Sequence, residues 1–283
     1  MPDVEYNICD ITDNPNNRSI RPTLPISMMI RPSATGVAAI LFSAALAACA
    51  PMPNVAASPA SQPSPQPATQ IPATARDVQW ARVSAEHTAI FIETYRSAAA
   101  RLASLSAGRP AGSWGVILDA DETVLDNSDY ELARVPFGGS FDAAAWNAWV
   151  AEGRAPALPG VVAFTSQVHQ LGGKVVIVSN RSDSGCPATR TNLDRVSVKA
   201  DLVVCKTDTD DKNPRFDAVQ NGTAAPGFPA ITVLEWIGDN IQDFPQLSQA
   251  IRGQPESAFA KFGDTFFALP NPMYGSWQTN PLK

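Results

Sequence analysis

Apolar positions fall into two alternating patterns along the chain, and the alternation begins only after residue 76. Asp77 is placed to cap a helix in which Trp80, Val83, Ile90, Phe91, Tyr95 and Leu102 recur near helical spacing, with Gly108 as its stop. Five short apolar runs follow: GVILD at 115–119, KVVIVS at 174–179, ADLVVC at 200–205, ITVLEWIG at 231–238 and TFFAL at 265–269. Several are continuous β-branched stretches rather than alternations, the pattern of parallel strands covered on both faces. Helix-compatible segments lie between them, such as 161–171, stopped by Gly172 and Gly173, and 240–252. This order predicts an α/β domain over 76–283 built on a doubly wound parallel sheet, with an aromatic-rich cap near 124–159. Ligands of such sheets sit beyond the carboxyl ends of the strands, so the polar residues there are the candidates for chemistry.

The N-terminal quarter has a different pattern. Charged residues stop at Arg31 and return at Arg76. Residues 36–48, GVAAILFSAALAA, are too short to cross a hydrocarbon core of roughly 30 Å but fit the apolar part of an export signal. Leu46-Ala47-Ala48-Cys49 resembles the bacterial lipobox, which makes Cys49 a predicted lipidation site; an ordinary signal peptide with an incidental cysteine is the alternative. Ala50 after that cysteine suggests an outer-membrane lipoprotein, facing the periplasm or the surface. Residues 1–27 carry four acids against two arginines, wrong for a signal's basic start, so Met28 or Met29 is the expected start. Residues 51–75 hold seven prolines and no charge, and predict an extended tether rather than a packed element. The expected organisation is start-site excess and signal over 1–48, lipidated cysteine and tether over 49–75, and one folded domain over 76–283.

Composition narrows the function. The 21 basic residues against 27 acidic ones give a formal charge of -6, which argues against a nucleic-acid polymer as partner. Two histidines and four cysteines leave little for a histidine-rich zinc site, so any metal is expected to be held by oxygen.

The first predicted strand runs into Asp119-Ala120-Asp121-Glu122-Thr123. If extended geometry persists, both aspartates fall on one side, and like charges so placed call for a metal, a proton or both. The fourth strand ends in Gly238-Asp239-Asn240-Ile241-Gln242-Asp243 and brings further carboxylates to the same rim. Oxygen ligands from both places suit an open Mg²⁺ site that accepts a substrate phosphate. Each motif has an ordinary explanation as turn chemistry. Their joint placement at strand ends, with Ser179 at another and Lys212 in a later loop, carries the signal.

The pattern GVILDADETVLDNSDYE at 115–131 with GDNIQDF at 238–244 resembles the class C acid phosphatases, the lipoprotein 5'-nucleotidases of the haloacid-dehalogenase-like (HAD) superfamily. The likeness continues through 141–181, with Trp146, Trp149, ALPG and VSNR, and through LPNPMYGSW at 269–277. It implies a Mg²⁺-dependent phosphomonoesterase working through an aspartyl-phosphate. Asp119 would be the nucleophile, and Asp121 the acid and base with its backbone carbonyl on the metal. Ser179 would bond phosphoryl oxygens and Lys212 would neutralise developing charge. Asp239 would complete the metal shell, with Asp243 acting through water or by orienting Lys212. Asn180 and Arg181 either shape the loop or touch substrate. Residues 182–217 depart from the family pattern, so Lys206 is the alternative to Lys212. Trp146 and Tyr274 match positions that flank a substrate base, which implies nucleoside monophosphates as substrates. Trp149 is expected to pack the cap, and His87 to be a packing or surface residue. Cys186 follows the second strand and Cys205 ends the third, so an oxidising compartment would favour a disulfide between them. The other readings are an HAD phosphatase or phosphotransferase with a non-nucleotide substrate, and a lipoprotein that binds without turnover. A dehalogenase is disfavoured, because that displacement has no use for Asp121.

Overall fold

The computed structural model describes residues 75–282. The expected export signal, the expected lipidation at Cys49 and the expected tether up to residue 74 lie outside them.

The predicted first helix is two, α1 (Arg76–Val83) and α2 (Ala85–Leu105). Ser84 causes the break: its backbone is extended, its N–H closes α1 on Trp80 O, and its Oγ accepts from His87 N to cap α2. The break moves Val83 and Ile90 to the solvent side, and Val83 is 72% exposed. The stripe that is buried is His87, Phe91, Tyr95, Ala98 and Leu102, spaced by three and four. His87 packs between Trp80 and Phe91, with ring centroids 5.4 and 4.4 Å away, and burial lowers its pKa.

Five strands, β1 (Trp114–Leu118), β2 (Lys174–Ser182), β3 (Leu202–Lys206), β4 (Thr232–Gly238) and β5 (Phe266–Ala268), form one parallel sheet in the order β3-β2-β1-β4-β5. Helices cover both faces, as continuous apolar strands require. Val116, Leu118, Val175, Ile177 and Val203 pack with Phe91, Tyr95 and Leu102 of α2, with Phe164 and Val168 of α5 (Val161–Gln170), and with Leu193 of α6 (Cys186–Arg195). Ile117, Val176, Val178 and Val233 pack with Phe216 and Val219 of α7 (Asn213–Gln220) on the other face.

The strand order fixes where a ligand can sit. The chain moves outward from β1 to β2 and β3, then returns to lay β4 on the opposite side of β1. The β1/β4 boundary is therefore the point where the winding reverses, and the crevice beyond it is the site the topology provides. Leu118 lies opposite Ile237, and Asp119 N donates to Ile237 O at 3.0 Å, so the residues just past both strands are neighbours.

The predicted helix over 240–252 is absent. Two 3-10 turns, Ile241–Asp243 and Gln249–Gly253, stand in its place. Pro245 supplies the reason, because it has no N–H and forces Phe244 into extended geometry (φ -109°, ψ 135°). The cap region folds as α3 (Ser128–Arg134) and α4 (Ala143–Glu152). Tyr130 and Trp146 meet edge-on at 5.0 Å, Trp149 is buried, and Phe137 is 82% exposed. Among the described residues no helix is long and apolar enough to cross a membrane.

Cys186 and Cys205, 19 residues apart, form a disulfide that ties the start of α6 to β3. Closing a loop of that length restricts the unfolded chain, so replacing both cysteines by serine should lower stability by about 3 kcal/mol. Denaturant midpoints for the oxidised protein and the double variant check this; equal midpoints would contradict it.

Candidate active site

Past β1 the chain turns at once. Val124 N and Leu125 N both donate to Ala120 O, at 3.0 and 2.8 Å, and Glu122 has φ 50°, a left-handed conformation that costs a non-glycine residue. The buried Glu122 carboxylate holds the turn by accepting from Asn127 N at 2.8 Å and Asn127 Nδ2 at 3.3 Å. Extended geometry does not persist past the strand, and Asp119 and Asp121 take different partners, Lys212 and Arg181. Their carboxylates go to two different poles.

Asp119, Asp239 and Asp243 make the first pole, each offering an oxygen within 4.8 Å of the others. Asp119 enters from β1 and Asp239 from β4. Asp239 is steadied by Thr123 Oγ1 at 3.1 Å and Asn271 Nδ2 at 2.9 Å. Asp243 comes back to the strand end through its 3-10 turn, with Oδ2 accepting from Asn240 N at 2.8 Å. This return needs Gly238: a Cβ there would sit 2.3 Å from Asp243 Cβ.

Among the described residues one cation pairs with the cluster. Lys212 Nζ, on a side chain only 4% exposed, donates to Asp119 Oδ1 and, at 2.6 Å, to Asp243 Oδ1. Burial works against its charge, but the two carboxylates override that and raise its pKa, so Lys212 stays an ammonium. Three carboxylates against one ammonium still leave a negative excess. Burial, opposed by Lys212 and reinforced by Asp243 and Asp121, pushes Asp119 up to about 7. Burial, reinforced by Asp243 and Asp119, raises Asp239 well above the usual range. Hard, buried oxygen donors with excess negative charge fit a divalent cation. Lys206 instead pairs with Asp210 at 2.7 Å, so Lys212 occupies the position for which Lys206 was the alternative.

The second pole is Asp121. Its Oδ1 accepts from Arg181 Nε at 2.9 Å and from Asn127 Nδ2 at 2.9 Å, and Arg181 Nη2 lies 2.8 Å away as an ion-pair contact. Its carboxylate is not among those three, which leaves the backbone carbonyl as the part of Asp121 expected at the metal.

Both poles open into a cavity of about 700 Å³ that Trp146, Tyr274, Asn180 and Arg181 also line. Asn180 holds its rim, donating to Asp210 O at 3.0 Å and accepting from Arg215 Nη2 at 2.5 Å. Ser179 is fully buried, and its Oγ accepts from Arg181 N at 3.0 Å. The extension of β2 to Ser182 keeps Ser179 inside the strand. Sequence reasoning passed over Asn127, Thr123, Asn271 and Arg215. Asn127 and Asn271 lie inside motifs already singled out, but only the folded turn shows what they hold.

A family model described as HAD superfamily, subfamily IIIB (acid phosphatase), matches residues 39–277. The class C acid phosphatase of Bacillus anthracis is 28% identical, over 72% of this chain and 86% of that one, with a TM-score of 0.63. A structure of it with tungstate bound aligns over the same shares at 28% identity and TM-score 0.61. The stem 28 kDa glycoprotein of Glycine max is 27% identical over 165 residues, 56% of this chain, and the chain spans 58% of that relative's length.

Removing the ammonium should expose the charge imbalance. In chelator, Lys212→Met should lose about 3–5 kcal/mol of stability, the usual cost of breaking a buried ion pair. Adding a divalent cation should recover more stability in the variant than it adds to the wild type. Unfolding curves with and without the cation measure both quantities; a variant as stable as wild type in chelator would contradict the balance described.

Proposed function

The chain belongs to the HAD superfamily, subfamily IIIB, the acid phosphatases, and from that we propose that it hydrolyses phosphate monoesters through an aspartyl-phosphate on Asp119. The observation that carries the reading is the buried Asp119 at the β1/β4 reversal, touching Lys212 and facing Asp239 and Asp243 across less than 4.8 Å. The tungstate bound by the Bacillus anthracis enzyme is a tetrahedral oxyanion like phosphate, which supports an oxyanion ligand here.

An Asp119 oxygen attacks phosphorus, the ester P–O bond breaks, and the leaving oxygen takes a proton from Asp121. Water then attacks the phosphoryl group, gives its proton to Asp121, and frees Asp119. Lys212 neutralises charge at the nucleophile, and Asp243 keeps Lys212 in place. Mg²⁺ held by Asp119, Asp239 and Asp243 would supply positive charge for the phosphoryl oxygens. The leaving group would lie between Trp146 and Tyr274, whose faces suit a nucleobase, so nucleoside monophosphates are the proposed substrates. Lipidation at Cys49 would hold the domain at the cell envelope, in the outer membrane if the sorting expectation for Ala50 applies.

Phosphate release from nucleoside monophosphates and from a small aryl phosphate tests this, with and without chelator. Both substrates should be hydrolysed, and both activities should vanish in chelator and return with Mg²⁺. Stacking contributes about 1–3 kcal/mol per base, so Trp146→Ala should cut kcat/KM for nucleotides by roughly 5- to 150-fold beyond its effect on the aryl phosphate. Equal losses on the two substrates would contradict base stacking and favour a non-nucleotide ester.

A further inference from the structure

We propose that Arg181 is a positioning residue for Asp121, holding the carboxylate by Oδ1 so that Oδ2 is the oxygen that meets the leaving group. The inference rests on the acid and base role given to Asp121 above.

The guanidinium is buried, 1% exposed, and places both Nε and Nη2 on Asp121 Oδ1. Nε donates a hydrogen bond to that oxygen, and Asn127 Nδ2 donates a second. Two donors fill the two lone pairs of one carboxylate oxygen, so Oδ1 has no room left for the leaving-group contact. Among the described residues no hydrogen bond engages Oδ2, while Asp121 itself lines the cavity.

The partners of Arg181 are themselves fixed, as a positioning device requires. Its Nη1 donates to Thr189 Oγ1 at 3.2 Å, and that hydroxyl donates onward to Gly185 O at 3.0 Å. Its Nη2 also donates to Asn127 Oδ1 at 3.2 Å, and Asn127 Oδ1 takes a second bond from the buried Trp149 Nε1 at 2.8 Å. The orientation of Asp121 is thus tied to α6 through Thr189 and to the cap through Trp149. When the ester bond breaks, the Oδ2 proton passes to the leaving oxygen and the guanidinium stabilises the carboxylate left behind. When water attacks in the second half, the proton returns to Oδ2.

A residue that only stabilises the fold slows every substrate alike, whereas one that positions the acid matters in proportion to the leaving group's need for a proton. Phenyl phosphate and p-nitrophenyl phosphate are nearly the same shape, and the nitrophenolate leaves without protonation. General acid catalysis contributes about 10²–10⁴-fold, so Arg181→Lys should lower kcat/KM on phenyl phosphate at least about tenfold more than on p-nitrophenyl phosphate. Thr189→Val should act in the same direction more weakly, and it decides the matter if Arg181→Lys does not fold. Asp121→Asn should give the largest difference between the two esters. If Asp121→Asn shows that difference and the Arg181 and Thr189 variants lose equally on both esters, the positioning role is overturned while the phosphatase reading stands. If Asp121→Asn itself loses equally on both, the acid role falls and the inference with it.

Discussion

Three carboxylates, two of them buried and one half-buried, face one buried ammonium and set the terms for everything around the site. Like charges out of water repel strongly, and a single ammonium cannot neutralise three of them. The cluster persists because its members arrive on separate, rigid supports. Asp119 comes from β1, Asp239 from β4, Asp243 from a 3-10 turn seated on Gly238, and Lys212 from the start of α7. Neutral donors absorb part of the charge: Thr123 and Asn271 bond Asp239, and Asn240 N bonds Asp243. The negative excess that remains makes the pole a receiver for a divalent cation, and it adds to the effect of burial in raising Asp119 and Asp239.

The strained turn after β1 separates the two aspartates of the motif. Asp119 is turned to the cation pole, and Asp121 is turned to an arginine that is itself anchored to the cap and α6. Two like carboxyl groups two residues apart are given unlike surroundings, which is what the proposed division into nucleophile and proton carrier requires. The left-handed Glu122 and its bonds to Asn127 are the local cost of that division.

The α/β layering was legible because continuous apolar runs such as KVVIVS have no other stable use than a covered parallel strand. The carboxylates were legible as strand-end polar residues, and the Cys186–Cys205 pairing followed from adjacent strand ends. What could not be read was side-chain direction after the strand. The fate of Asp121 depends on a turn closed by Glu122 and Asn127, and period-two alternation says nothing about such a turn. The break at Ser84 hid inside a helical pattern whose apolar spacing continued across it, and the helix expected over 240–252 ran across Pro245. Arg181 was ambiguous for a related reason, since its three partners come from β1's turn, the cap and α6, segments far apart in the chain.

The central claim is that Asp119 takes the phosphoryl group while the cation pole holds it. Rapid acid quench during turnover of a phosphate monoester, followed by peptide mass spectrometry, tests it most directly. The account predicts a phosphoryl adduct on the peptide bearing Asp119, lost in Asp119→Asn and retained to a greater extent in Asp121→Asn, where water attack lacks its base. Turnover with no adduct on that peptide, or an adduct that survives Asp119→Asn, would contradict it.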